Sequence, residues 1–155
     1  MKNYMAVVPP YVLKKGEGKI LQPAPDLKVN LKVTKKETNG QLSVLEYTLS
    51  PGLTGPKPHF HKQIHEIFYV INGKATFLID KNWVEVSEGG FIFVPKGTFH
   101  AFSNPFNVEA KILSIFTPGG FEEYFEQYTL LRGAGIKEGE KLKLLRDKYD
   151  NNHIE

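Results

Sequence analysis

A chain of 155 residues is long enough for one domain with a real hydrophobic core, since at this size about 68–70% of the unfolded surface becomes buried. The absence of cysteine excludes disulfide frameworks, thiolate zinc sites and cysteine nucleophiles. The formal net charge is only +3 and the arginines are limited to Arg132 and Arg146, so the clustered basic face typical of nucleic-acid binding is missing.

No part of the sequence is typical of a membrane or secreted protein. The longest apolar runs fall well short of the ~18 residues that a bilayer-spanning helix requires. The first ten residues lack the apolar core and small-residue cleavage site of a secretory signal. We therefore expect a cytoplasmic protein that binds neither nucleic acid nor membranes.

Prolines punctuate residues 1–26, which we interpret as an N-terminal arm. The arm contains two short strand candidates, Tyr4–Val8 and Lys19–Gln22. Proline confines such segments to sheet edges, so the arm either pairs with a partner subunit or lies along its own sheet. Because small barrels often associate through sheet edges, we expect a homodimer.

From Leu27 to Thr117 the sequence predicts short strands joined by tight turns. Apolar and polar residues alternate from Leu27 onward, as in a half-buried strand. Asn72-Gly73 is a strong two-residue hairpin signal, and Asp80-Lys-Asn82 predicts a further turn. The predicted strands cover 27–34, 42–49, 59–61, 66–71, 74–79, 83–86, 91–94, 98–102 and 108–116. This spacing favours an all-β sandwich or barrel.

Residues 118–150 change to helical periodicity. A stripe of aromatic and aliphatic side chains from Phe121 to Leu131 follows helical spacing, and a weaker amphipathic pattern covers Glu138–Tyr149. We expect one or two short helices packed on the barrel, followed by a frayed tail over 150–155. The whole chain, 1–155, is then a single domain with its barrel over 27–117.

Three histidines and a glutamate form the most informative pattern. Successive strand residues point to opposite faces, so His59 and His61 project together. Glu66 would face the other way on an uninterrupted strand, and the intervening residues must therefore bend the chain before it. His100 follows a proline–glycine turn on a separate strand. A barrel interior is a place where such strands converge.

Neutral imidazoles with one carboxylate suit a transition metal better than calcium or magnesium, which prefer oxygen ligands alone. We expect one divalent ion, with iron, manganese, nickel, zinc and copper left open. Four protein ligands on an octahedral ion leave positions for water, dioxygen or substrate. The net charge of the centre, about +1, favours an anionic substrate oxygen.

The segment that contains Gly55, His59, His61, Glu66 and Gly73 resembles the first motif of the cupin superfamily. That motif has a glycine, two histidines two positions apart, a glutamate, and a glycine seven residues later. Here the spacing between Gly55 and His59 is shorter than usual, which affects only a loop.

Gly89, Pro95, Gly97, His100 and Asn104 are similar to the second cupin motif at every position. Together the two motifs cover about a third of the chain. The resemblance implies an all-β fold, a double-stranded β-helix or jelly-roll barrel with one or two short C-terminal α-helices.

Residue by residue, the resemblance implies the metal ligands His59, His61, Glu66 and His100. The segment Thr117–Glu122 is also similar to small single-domain cupins of quercetin-dioxygenase type. That likeness implies a metal-dependent dioxygenase for a small enol- or phenol-like substrate, with Glu66 as the catalytic proton acceptor. A sugar or sugar-phosphate isomerase or epimerase, and a non-catalytic binding protein for a small ligand, stay open as alternatives.

Other candidates receive simpler interpretations. His65 points away from Glu66 by strand parity and is expected at solvent or an interface. His153 lies in the predicted tail and is expected to be incidental. Lys57, Lys62 and Lys96 are interpreted as solvated loop lysines, although they could steer anions. The aromatic and branched residues of the strands are expected to be mainly barrel core, with some lining a cavity: Phe68, Val70, Phe77, Phe91, Phe93, Phe99 and Phe102.

Overall fold

Two antiparallel sheets that face each other make up most of the protein. The structure is a computed structural model and describes residues 8–154. The strands are β1 (Lys19–Ala24), β2 (Leu27–Val33), β3 (Ser43–Leu49), β4 (His59–Phe60), β5 (His65–Asn72), β6 (Lys74–Ile79), β7 (Asn82–Ser87), β8 (Phe91–Val94), β9 (His100–Ser103), β10 (Ala110–Thr117) and β11 (Asn152–His153). The first sheet has the order β1-β2-β3-β10-β5-β8, and the second sheet has the order β11-β4-β9-β6-β7. The predicted jelly-roll fold is confirmed.

The core lies between the two sheets and follows from strand alternation. In β3 and β10 every second residue is buried, from Ser43 to Leu49 and from Ala110 to Phe116. The same pattern in β5 buries Glu66, Phe68 and Val70, as parity predicted. Burial of each large apolar side chain contributes roughly 1.5–3 kcal/mol, and this fixes which face of each strand turns inward.

The prediction of a hairpin at Asn72-Gly73 was wrong. β5 pairs with β8 and β10, whereas β6 pairs with β7 and β9 in the other sheet. The chain therefore crosses between sheets at Gly73, which has a φ of 72°. A Cβ atom there would lie 2.8 Å from the carbonyl oxygen of Glu109, so glycine is required at the crossing.

From Lys19 onward, the N-terminal arm lies along its own sheet. Lys19–Ala24 forms β1 and pairs antiparallel with β2, which confirms the second strand candidate. The first candidate, Tyr4–Val8, falls outside the described residues apart from Val8.

The expectation of a core position was wrong for Phe91 and Phe93, which are 63% and 53% exposed. β8 is an edge strand, and these two rings lie on its outer face opposite Tyr69 and Ile67. The predicted homodimer stays a prediction.

Two helices, α1 (Glu122–Gly133) and α2 (Glu140–Lys148), follow the strands as predicted. The buried carboxylate of Glu122 anchors the start of α1 to the barrel. It accepts hydrogen bonds from the Lys35 amide at 2.7 Å, the Gly120 amide at 2.9 Å and the Ser43 hydroxyl. These bonds fix α1 beside the end of the barrel. Within residues 8–154, neither helix has the length and apolar character needed to cross a membrane.

The prediction of a frayed tail after residue 149 was wrong. Asn152–His153 forms β11 and pairs with β4, with His153 opposite His59. Asp150 ends α2 in a left-handed conformation, with a φ of 56°, and the Asn151 amide donates to the carbonyl of Arg146 at 2.9 Å. This bond pattern ends a helix and turns the chain back, here towards the second sheet.

Candidate metal centre

The four predicted ligands lie together inside the barrel, three of them on strands. His59 on β4 pairs directly with His100 on β9, and Glu66 lies on β5 in the facing sheet. His61 follows β4 directly, and the bend that the parity argument required comes after it, at Lys62 and Gln63. All four are buried, and one ligand atom from each lies within 4.8 Å of the others. Among the described residues this is the one group that meets the geometric criterion for a metal site.

The motif residues that are not ligands hold the two motif segments together. The Gly97 amide donates to the carbonyl of His61 at 2.7 Å, which joins the second motif to the first. The buried side chain of Asn104 donates to the carbonyls of Leu49, Ser50 and Val108 at 3.1, 3.2 and 2.8 Å. These bonds close the loops around the ligand strands.

Each histidine ring is oriented by a backbone carbonyl at its Nδ1 atom. His59 contacts the carbonyl of Lys57 at 2.9 Å, and His100 contacts that of Thr98 at 2.9 Å. His61 contacts the carbonyl of Asp150 at 2.7 Å. Since a carbonyl only accepts, each Nδ1 carries the proton and each Nε2 is left for the centre. This is the arrangement that a metal-ligating histidine usually has.

Glu66 is held ionised at the centre. Its Oε1 accepts a hydrogen bond from Ser114 at 2.8 Å, and its Oε2 lies 2.9 Å from Nε2 of His100. Burial alone would raise the pKa of Glu66, but the His100 hydrogen bond and the charges of His100 and His61 lower this pKa well below its usual range. In the same pair, burial would lower the pKa of His100, whereas Glu66 raises it. Below the raised pKa of His100, the two groups therefore stabilise each other as an imidazolium–carboxylate pair.

The other two imidazoles each bring a ring nitrogen to the same group. Burial, reinforced by repulsion from His100 and His61, lowers the pKa of His59 to about 3. The Nε2 atom of His61 is buried 3.4 Å from Oε2 of Glu66 and forms no hydrogen bond. A buried nitrogen without a partner is costly, and a bound cation would satisfy it. The donor set thus fits a transition metal.

A pocket of about 540 Å³ opens from the centre towards the helices, with Glu66 and His59 in its wall. Eight aromatic side chains, from the barrel, from α1 and from the residue before α1, line a large part of it: Tyr47, Phe68, Phe102, Phe116, Phe121, Tyr124, Phe125 and Tyr128. The helix stripe that begins at Phe121 therefore packs on the barrel as expected and also lines the pocket. Its size and apolar character are typical of a small-molecule site.

A few polar groups interrupt this aromatic wall. Lys57, Lys137, Arg146 and His153 line the pocket, and so does Asn151, whose buried Oδ1 has no hydrogen-bond partner. Burial and the charges of Arg146 and Lys57 lower the pKa of His153, so this ring is neutral near pH 7. His153 does not lie in a frayed tail, because its pairing with His59 in β11 places it at the pocket.

His65 lies outside the centre, as strand parity predicted. Its Nδ1 accepts a hydrogen bond from the Lys96 amide at 3.1 Å, and its ring packs on Phe93 at 5.7 Å between centroids. Lys62 and Lys96 are exposed and do not line the pocket, in agreement with their interpretation as loop lysines. Lys57 is also exposed but reaches the pocket wall.

Sequence reasoning missed the residues that support the centre from a distance. Ser114 is a buried polar residue on an otherwise apolar strand face, and this was the available signal. Asp150 and Asn151 follow the last amphipathic helix, and no local pattern connects them to residues 59–61. Only the fold brings these segments together.

The protein is a jelly-roll β-barrel with a buried group of three histidines and one glutamate that is suited to a metal ion. A pocket lined in part by aromatic side chains lies beside this group. Residues 45–116 match the family profile described as Cupin domain. The chain belongs to the cupin superfamily.

Named relatives differ in function. The chain is 31% identical over 118 residues to quercetin 2,3-dioxygenase of Bacillus subtilis (strain 168), a match that covers 75% of this chain and 34% of that protein. It is 32% identical over 85 residues to acireductone dioxygenase of Tuber melanosporum (strain Mel28), which covers 46% and 49%. The chain thus spans about half or less of the length of these two relatives.

Solved structures confirm the fold. KdgF from Halomonas sp. superposes with a TM-score of 0.65 at 16% identity, over 74% of this chain and 99% of that one. A sugar phosphate isomerase from Silicibacter pomeroyi superposes with a TM-score of 0.54 at 20% identity, over 61% of each chain. At these identities the likeness concerns the fold alone.

Proposed function

We propose that the protein is a metal-dependent dioxygenase-type enzyme that acts on a small enol- or phenol-like substrate. The observation that carries this proposal is the position of the metal-binding group. Four ligand atoms within 4.8 Å of one another, on buried residues, lie beside a pocket of about 540 Å³ that eight Phe and Tyr side chains help to line. The names of the two dioxygenase relatives support the same class of reaction.

His59, His61, His100 and Glu66 would hold one divalent transition-metal ion. When bound, such an ion would act as a Lewis acid towards a substrate hydroxyl and would supply the redox chemistry that dioxygen requires. The protein contributes fixed ligand directions, because backbone carbonyls orient all three rings and Ser114 orients the carboxylate. It also excludes bulk water from the centre, since all four ligands are buried.

Glu66 is the proposed proton acceptor. Its Oε1 is occupied by Ser114, so Oε2 is the oxygen directed towards the centre. The carboxylate is ionised and would take the proton of an acidic hydroxyl, as in an enol or a phenol, more readily than that of an aliphatic alcohol.

The pocket walls suit a flat substrate. Phe68 and Phe102 from the barrel and Phe121 from the segment before α1 provide apolar faces for a ring. The unpartnered Oδ1 of Asn151 would accept a hydrogen bond from a substrate hydroxyl or amine. A planar, hydroxylated organic molecule satisfies both kinds of group.

Oxygen uptake tests the proposal. The protein would be reconstituted separately with iron, manganese, nickel, zinc and copper, and each form assayed with flavonols, catechols and β-diketones. We expect uptake with at least one redox-active metal and none with zinc or metal-free protein. Glu66→Gln should bind the substrate but turn over at least 100-fold more slowly, a rough expectation for the loss of a general base. No uptake by any metal form would refute the proposal.

One observation favours isomerisation or epimerisation of a sugar phosphate as a second candidate. Lys57, Lys137 and Arg146 give the pocket three cationic groups that an anionic substituent could contact. Apart from its metal-ligand carboxylate, the pocket has two acidic side chains, Asp26 and Glu138, one fewer than its cationic groups. Exchange of solvent deuterium into a sugar phosphate without oxygen consumption would identify this activity, and a tightly bound ligand recovered unchanged would indicate a non-catalytic binding protein.

A further inference from the structure

A remote segment of the chain holds one of the three histidine rings. Nδ1 of His61 donates to the carbonyl of Asp150 across 89 positions of sequence, at 2.7 Å. The rings of His59 and His100 depend instead on carbonyls only two residues before them. The orientation of His61 is therefore the one that relies on correct placement of the chain end after α2.

Residues 150–153, which we name the C-terminal bracket, are attached on both sides of His61. The carboxylate of Asp150 accepts hydrogen bonds from the amides of Lys62 and Gln63, each at 2.8 Å. On the other side, the side chain of Asn152 donates to the carbonyl of Phe60 at 3.2 Å. The bracket thus fixes the bend that carries His61 as well as the ring itself.

Asp150 combines two properties that this position needs. Its backbone is left-handed, with a φ of 56°, a conformation that aspartate and asparagine adopt more easily than most residues. Its carboxylate also accepts a third hydrogen bond, from Asn152 at 2.7 Å, so one side chain orders the whole bracket. An alanine would lose all three bonds and would strain the backbone.

We propose that Asp150 is a positioning residue of the metal centre, which directs Nε2 of His61 to the centre and couples the end of α2 to metal occupancy. This inference rests on the proposed metal site but not on any particular reaction. The unpartnered Nε2 of His61 is the atom whose direction the bracket controls. By thermodynamic linkage, a bracket that strengthens metal binding must itself be stabilised when metal binds.

The first test measures Co²⁺ affinity by competition with a chelator and records the visible absorption of the bound ion. Loss of a group that orients a metal ligand typically weakens metal affinity about 10–100-fold, and we expect this for Asp150→Ala, together with an altered Co²⁺ spectrum. Asp150→Asn keeps the left-handed backbone and one acceptor oxygen, so its Co²⁺ affinity should lie between that of the parent protein and that of Asp150→Ala. An Asp150→Ala protein with the parent affinity and spectrum would overturn the inference.

Asp147→Ala is the matched control. Asp147 lies three residues earlier at the end of α2, and its 55% exposed side chain pairs with Lys143 at 3.0 Å. Its removal changes the charge of the same region by the same amount without contact to the bracket, so Co²⁺ affinity should be unchanged. An equal loss of affinity in Asp147→Ala and Asp150→Ala would show a general charge effect and would also overturn the inference.

Hydrogen exchange on the unaltered protein tests the coupling even where Asp150→Ala does not fold. The amides of Lys62 and Gln63 report the bracket directly, because both donate to Asp150. Saturating Co²⁺ should slow their exchange at least tenfold, and equal rates with and without Co²⁺ would refute the proposal. Absence of oxygen uptake by a protein that binds Co²⁺ normally would refute the dioxygenase function and leave this inference intact.

Discussion

The hydroxyl of Ser114 donates a 2.8 Å hydrogen bond to Oε1 of Glu66 in the interior of the barrel. The two residues lie on the adjacent strands β10 and β5, and both are almost completely buried, at 0% and 3% exposed. The bond occupies one carboxylate oxygen, so that Oε2 alone approaches Nε2 of His100 and Nε2 of His61, at 2.9 and 3.4 Å. Glu66 is thereby prepared to bind a metal through a single oxygen.

Replacement of Ser114 should weaken the centre without removing a ligand. In Ser114→Ala the Oε1 atom becomes a buried acceptor without a partner, and the carboxylate is free to rotate. We expect metal affinity to fall about 10–100-fold, as for other groups that orient metal ligands, measured by chelator competition. Ser103→Ala removes a hydroxyl hydrogen bond to Thr76 elsewhere in the barrel and should leave the affinity unchanged. Equal affinities for Ser114→Ala and the parent protein would contradict this role.

Metal content should separate His61 from its near neighbour His65. The His61 ring contributes to the buried group, whereas His65 accepts a hydrogen bond from the Lys96 amide outside it. We expect elemental analysis to find about one transition-metal ion per chain in the unaltered protein and in His65→Ala, and a large loss in His61→Ala. A metal content that depends on His65 would show that the four-residue centre is incomplete.

Metal binding should release a proton from the ligand-free centre. Glu66 raises the pKa of His100, so His100 is protonated below that raised value and must lose its proton before Nε2 can bind a metal. Below the raised pKa, affinity should therefore increase about tenfold per pH unit for one proton released, and the slope should disappear above it. Titration of the protein with metal in weakly buffered solution measures the number of protons released per ion bound. If the metal affinity did not change between about pH 5 and about pH 7, the imidazolium–carboxylate pair would be contradicted.

The ligand-free protein should lose stability on both sides of the ordinary histidine pKa, for two different reasons. The folded pKa of His59 is about 3, below its unfolded value near 6.5, so the unfolded chain binds more protons and stability falls as the pH drops through this window. The folded pKa of His100 is raised, so its contribution is complete below about 6.5 and is lost as the pH rises through the raised value. Urea unfolding across this pH range measures both effects, and His59→Gln should reduce the loss on the acidic side, to which the lowered pKa of Glu66 also contributes, and leave the alkaline side unchanged.

The resemblance to the cupin motifs implied the ligand set, and side-chain parity, a strictly local property of a strand, predicted the faces of the histidines near Glu66. The period of two placed His59 and His61 on one face and His65 on the other, and the structure agrees. The bend before Glu66 followed from the same rule, since an odd offset reverses the face. Such inferences need only neighbouring residues and hold wherever one face of the strand is buried.

The incorrect predictions concern partners that no local pattern specifies. Asn72-Gly73 has the composition of a hairpin turn, but a jelly roll separates the flanking strands into two sheets. The segment after Tyr149 looked like a free end because its partners, Phe60, Lys62 and Gln63, lie far away in sequence. The pocket walls contributed by α1 were interpreted as a packing face, since a helical stripe has the same pattern whether it covers a core or a ligand.

Gly55 should be the most sensitive glycine of the loop that precedes the ligand strand. Its φ is 80°, and a Cβ atom would lie only 1.7 Å from the backbone carbonyl oxygen of Phe102 on β9. Gly52 in the same loop has a similar φ of 78°, but a Cβ atom there would meet nothing within 4 Å. Gly52→Ala should therefore cost only the strain of the left-handed backbone, about 1–2 kcal/mol, whereas Gly55→Ala must also displace β9.

Thermal or urea unfolding of the ligand-free proteins measures this difference. For a chain of this size, about 1 kcal/mol shifts the melting temperature by roughly 2–4 °C, so the Gly52→Ala shift should be small and the Gly55→Ala shift clearly larger. Because β9 carries His100, Gly55→Ala should in addition weaken metal binding, which Gly52→Ala should not. Equal destabilisation by the two substitutions would mean that backbone strain alone, and not the close approach to Phe102, determines the glycine at position 55.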